Sequence, residues 1–113
     1  MASQQPKELG AIVATPAWAE VYNVPDVSGD YAAISTLCVC NFGTAVDYFY
    51  IATDTHSNTP APGNAQLRFS KVLIQPGETY AKKWSWMLHR NKAVVCKSQN
   101  GTCSVAVSGI EYS

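Results

Sequence analysis

Four cysteines are the residues of this 113-residue chain best equipped for chemistry. Cys38 and Cys40 stand one residue apart in STLCVCNFG, and Cys96 and Cys103 follow far down the chain. Four thiolates are the number a structural zinc takes. Zinc knuckles, however, present Cys-x2-Cys pairs in turns. Here the first two cysteines lie in an apolar run that reads as a β-strand, about 6.5 Å apart along it. A redox dithiol needs Cys-x-x-Cys at the start of a helix, where the first thiol is acidified. The chain has neither that spacing nor that helix, so no metal site is expected. Cys38 and Cys40 read instead as core filling or as thiols between subunits. Cys96 and Cys103 flank the turn Ser98 to Gly101. A four-residue loop would set them opposite each other on a hairpin, within disulfide reach, whereas a two-residue Asn-Gly turn would make them diagonal neighbours. A hairpin disulfide, reduced core thiols and a bond between subunits all stay open.

The remaining reactive side chains are scattered. His56 falls in a polar loop and His89 in a turn, and neither forms a motif with a serine or cysteine. The acidic residues occur singly, without the pairing that glycosidic chemistry uses, and no glycine-rich phosphate loop is present. No catalytic residue and no cofactor are expected. Aromatic residues are the last candidates. Tyr48 and Tyr50 share one strand face, and together with Trp84, Trp86 and His56 they form a candidate interface or ligand surface. Their plainer reading is core.

The elements that would position these residues are strands. Short β-type runs alternate with turn signals, and no helical period lasts beyond about two turns. The pattern predicts strands near 10–14, 17–24, 31–42, 46–53, 66–74, 78–88, 92–97 and 102–112. The breakers include Thr15-Pro16, Phe42-Gly43-Thr44, Gln75-Pro76-Gly77 and Gln99-Asn100-Gly101, and the long polar connection Asp54 to Asn64 belongs on the surface. The expected fold is all-β: a single compact antiparallel β-sandwich of about eight strands, jelly-roll or immunoglobulin-like, over residues 9–113, with a polar N-terminal arm over 1–8. Along the third strand, alternation places Ile34, Cys38, Cys40 and Phe42 on one face and Leu37 and Val39 on the other. Trp84, Trp86 and Leu88 share a face of the sixth. Val94, Cys96, Cys103, Val105 and Val107 share a face of the closing hairpin.

Composition supplies the core and narrows the partners. Hydrophobic residues make up 47% of the chain, and eight basic residues balance eight acidic ones. Neutrality leaves no electrostatic footprint for nucleic acid and no basic patch for an anionic membrane. The opening MASQQPKELG lacks an apolar signal core, so synthesis in a cytosol is expected.

Taken in order, the segments LGAIVA, VYNVP, ISTLCVCNFGTAVDYFYIA, IQPGETY and the closing VAVSGIEYS resemble a family of small β-sandwich virion structural proteins and modules of tailed bacteriophages. The likeness runs from Leu9 to Ser113. Cys40 falls on that family's Cys-Asn position, whereas Cys38, Cys96, Cys103 and Trp84-Ser85-Trp86 depart from its pattern. The resemblance implies a non-enzymatic protein of the particle exterior, made in the bacterial cytoplasm. Capsid decoration or cement, or a head–tail neck collar, would be its role. Its partners would be the major capsid protein, neck or tail proteins, and further copies of itself. The alternative is a tail or tail-fibre module that binds a host receptor or glycan. A virion protein folds in a reducing cytosol and then persists outside it, which would let extra cysteines act as core filling first and as staples later.

Overall fold

The computed structural model of the chain describes residues 7–25 and 30–112. Among these residues, eight strands form two four-stranded antiparallel sheets. They are β1 (Lys7–Val13), β2 (Ala19–Asn23), β3 (Tyr31–Asn41), β4 (Asp47–Thr55), β5 (Leu67–Ile74), β6 (Thr79–His89), β7 (Lys92–Ser98) and β8 (Cys103–Tyr112). The first sheet runs β1-β8-β3-β6 and the second β2-β7-β4-β5. Chain neighbours therefore pair with each other only at β4 and β5, and every other connection crosses the sandwich. This is the two-Greek-key order of a jelly roll, which selects that architecture over the immunoglobulin-like one. β1 starts at Lys7, inside the expected arm; the arm's first six residues lie outside those described.

Alternation buries one face of each sheet against the other. Ile34, Leu37, Phe49, Ile51, Ile74 and Leu88 are the largest of the fully buried side chains, each stabilising the fold by roughly 1.5–3 kcal/mol. Edge strands β5 and β6, in opposite sheets, are closed by aromatic rings. Phe69 meets Trp84 edge-on at 5.3 Å, and Phe49 meets Tyr80 at the same distance. Such pairs add about 0.5–1.5 kcal/mol beyond the area they bury.

Two expectations change here. In β3 a bulge at Ser35 inserts one residue against β8, where Ile34 pairs with Gly109 and Thr36 with Ser108. The bulge reverses the alternation, so Ile34 points into the core with Leu37 and Val39 rather than with the cysteines. Phe42, placed by alternation on the face of Cys38 and Cys40, is 57% exposed. The second change concerns the closing hairpin, which does not exist. β7 pairs with β2 and β4, and β8 with β1 and β3. The expected common face of Val94, Cys96, Cys103, Val105 and Val107 survives as a shared core, contributed from opposite sheets.

Close crossings explain two glycines. A Cβ on Gly10 would sit 2.0 Å from the Val21 carbonyl oxygen, and one on Gly109 would sit 2.1 Å from that of Ala33. Neither position has room for a side chain.

Candidate functional site

The thiols fall into two unlike pairs, and all four are free. Cys96 and Cys103 are fully buried. Burial pushes the Cys96 thiol up to about 12. Burial first, and then the Asp47 carboxylate, push Cys103 to about 12 as well. At neutral pH both are protonated and inert. Cys103 donates to Asp47 Oδ2 at 3.4 Å, and the hairpin geometry that would have paired it with Cys96 is absent. Cys38 and Cys40 are half-buried on the outer face of the first sheet.

That outer face has an unusual make-up, read from the pairing register. One transverse row is Ala11, Ala106, Cys38 and Ala81; the next is Val13, Ser104, Cys40 and Thr79. No side chain in the two rows is larger than valine, and none is charged. Solvated sheet faces ordinarily carry long polar residues. These two rows carry only small side chains, and the row beside them, Glu8, Ser108, Thr36 and Lys83, restores charge at its two edges.

The expected aromatic surface is divided by the fold. Trp84 is a core residue, 9% exposed. Tyr48 and Tyr50 lie half-buried on the outer face of the second sheet, and two lysines join them there. Lys97 sits 4.9 Å from both the Tyr50 and Trp18 rings, and Lys71 sits 5.5 Å from Tyr48. The result is a band of rings and cations across β7, β4 and β5, with Trp18 just ahead of β2. His56 lies apart from this band. Its Nδ1 is 2.7 Å from Glu20 Oε2, and the Ser57 N–H donates to the same oxygen at 2.9 Å. These bonds pin the start of the long loop, which follows β4, to β2. Beneath it Ala52, Ala93 and Val95 are fully buried on the sheet's outer side, packed by Trp18 and Leu67.

Trp86 stacks on Trp84, on the same face of β6 as expected, and reaches a groove of about 420 Å³ between β6 and the second sheet. Arg68 stacks over its ring, with the guanidinium carbon 4.2 Å from the ring centre. Arg68 Nε donates to Thr53 Oγ1 at 3.0 Å and Nη1 to the Ala65 carbonyl at 3.3 Å. Asp54, Gln66 and Lys92 line the same groove.

The polar centre that residue types alone did not mark is Asp47, fully buried at the start of β4. Oδ1 accepts the N–H groups of Tyr48 (2.7 Å) and Asn100 (2.8 Å). Oδ2 accepts the Thr102 N–H (3.1 Å) and hydroxyl (3.0 Å). Burial pushes this carboxyl up, but the Asn100, Thr102 and Tyr48 amides and the Thr102 hydroxyl together outweigh it and hold the pKa below the usual range. Asn41 lies beside it: its amide donates to the Ala45 and Ile74 carbonyls, and its oxygen accepts the Gly43 N–H and shares the single Thr102 hydroxyl proton with Asp47 Oδ2. The knot fastens the β7–β8 crossing to β4. It is structural.

At the opposite end the Tyr22 hydroxyl donates to Glu111 at 2.6 Å, and Lys7 pairs with the same carboxylate at 2.8 Å. Lys7 first, then Tyr22, hold Glu111 below its usual range; burial, then Glu111, pushes the Tyr22 phenol up. Here again the residues of the resembling segments serve the fold. Gly10 and Gly109 allow close crossings, Asn41 is the polar hub, and Tyr22 and Glu111 clamp the sheets together.

No family model matches the chain, and no curated protein does. Among solved structures, the chain is similar to a pentameric capsid protein isolated from metagenomic phage sequences, at a TM-score of 0.39 and 14% identity. The match covers 94% of this chain and 59% of that one, so this chain spans under two thirds of that protein's length.

Proposed function

We propose that the protein is a structural component of a bacteriophage virion, working through protein–protein contacts on the particle exterior as a capsid decoration or cement protein. The observation that carries this reading is the pair of small-residue rows on the outer face of the β1-β8-β3-β6 sheet. A patch built from Ala11, Ala81, Ala106, Ser104 and the two cysteines holds no long side chains whose conformational freedom would be lost on docking. It lets a neighbouring flat surface approach closely, as interface cores do. The sandwich architecture agrees, since jelly rolls are frequent in capsids, although they also form lectins and cupins. The ordered likeness to phage β-sandwich proteins from Leu9 onward adds support of a different kind. Repetition in a lattice would make modest contacts sufficient through avidity. A neck collar uses the same contact chemistry at lower copy number.

Immunogold electron microscopy of purified particles tests the reading. Gold spread over the head is the expected result, and gold confined to the neck would move the protein to the collar. Unlabelled particles would refute a virion role. The face itself is tested by Ala106→Arg, which puts a long cation in the centre of the patch with its side chain outward. The folded variant should fail to enter particles. Cys38 and Cys40 lie within the same contact, so a disulfide between subunits would appear as a reducible dimer on a non-reducing gel of particles.

A further inference from the structure

The groove around Arg68 has the properties of a ligand site, and this holds whether or not the protein sits in a virion. We infer that it binds an acidic sugar, a uronic or sialic acid, through its carboxylate. Arg68 is half-buried and held in place by Thr53, Ala65 and the Trp86 ring. The described residues form two ion pairs, Lys7–Glu111 and Glu20–His56, and Arg68 is in neither. Among the described residues, two of the five guanidinium N–H groups have protein acceptors, one on Nε and one on Nη1. The remaining donors form an immobilised fork suited to bidentate contact with a carboxylate. Fixing the side chain beforehand removes most of the ordering cost of binding.

The rest of the lining selects among anions. Lys92, held by Thr55 Oγ1 at 2.9 Å, supplies a second cation. Asp54 and Gln66 supply the acceptors and amide donors that sugar hydroxyls use. Arg68 and Lys92 against Asp54 leave one net positive charge among these three side chains, which matches a singly charged acid better than doubly charged phosphate. Trp86 has Arg68 over its ring and Trp84 stacked 6.3 Å away, which leaves little open ring for a nucleobase.

The test is a titration of the whole chain, followed by backbone amide NMR shifts and tryptophan fluorescence. The probes are D-glucuronate, N-acetylneuraminate, D-glucose and inorganic phosphate. Either acid is expected to bind with millimolar affinity and to shift amides around Thr53, Arg68 and Trp86, with glucose at least tenfold weaker. Arg68→Lys retains the charge but loses the fork and should weaken acid binding about tenfold or more. Lys97→Gln, on the outer aromatic band, should leave it unchanged. Equal binding of glucose and glucuronate would overturn the inference, as would shifts confined to the Lys97 band. So would phosphate binding as tight as the acids, or no shift with either acid. The wild-type titrations decide the matter even if Arg68→Lys proves unstable.

Discussion

Replacing Asp47 by asparagine perturbs one atom of a fully buried carboxylate that receives three backbone N–H groups. The new amide keeps one oxygen, so Tyr48 and Asn100 retain their acceptor. Its NH2 then meets the Thr102 N–H, 3.1 Å from the original oxygen, and the Cys103 thiol at 3.4 Å. The Thr102 hydroxyl can fall back on Asn41; its N–H has no such substitute. Losing a hydrogen bond to a charged acceptor costs about 1.5–3 kcal/mol, and an unsatisfied buried N–H costs a similar amount that overlaps with it. The expected loss at pH 7 is therefore about 3 kcal/mol, or roughly 12 °C in Tm for a domain of this size. Urea unfolding should show a lower midpoint with an unchanged m-value. The pH dependence sharpens the test. The folded pKa of Asp47 is depressed, below an unfolded value of about 3.9. Its contribution is thus fully present above that value and is lost as pH falls through the folded pKa. Asparagine is neutral throughout. The gap between wild type and variant should be full at pH 7 and narrow progressively below about pH 4. A gap that stays constant with pH, or one under about 1 kcal/mol at pH 7, would refute the reasoning.

Two other consequences can be measured directly. Gly109→Ala places a methyl group 2.1 Å from the Ala33 carbonyl oxygen; β8 or β3 must shift, and thermal melting should show a loss of about 1–3 kcal/mol or more. Brief alkylation of the native protein followed by mass spectrometry should label Cys38 and Cys40 well before Cys96 and Cys103, because the second pair is fully buried and held protonated. Four equally reactive thiols would contradict the core placement.

Much of the fold was legible because its signals are local. All eight strands fall within a few residues of the expected ranges. Turn chemistry marked the ends: Gly77 and Gly101 adopt φ values of 76° and 73°, left-handed conformations in which glycine avoids the usual Cβ penalty. The bulge at Ser35 was not legible, since Ser-Thr between apolar residues fits unbroken alternation equally well, and only the partner strands reveal the extra residue. Asp47 was equally hidden. An aspartate at a strand start reads as solvent-facing until the β7–β8 crossing delivers its amides. The candidate surface drawn from Tyr48, Tyr50, Trp84, Trp86 and His56 mixed residues from separate places, because a shared residue type says nothing about a shared face. Arg68 carried no sequence signal at all. Its setting comes from Thr53, Ala65 and Trp86, which lie on three different segments.

By itself, the sequence determined the class of structure: eight strands, most of their inward residues, and enough apolar side chains to hold two sheets together. Alternation and turn propensity act over a few residues and need no partner to be read. Tertiary structure decided which strands pair, and with that nearly everything at the surface. It sent β7 and β8 to opposite sheets, which separated a supposed hairpin pair of cysteines. It aligned Ala106, Cys38 and Ala81 into one smooth row, and it set a fixed guanidinium in a groove. Those outcomes depend on contacts between residues tens of positions apart, where pairing is chosen by how the whole core packs.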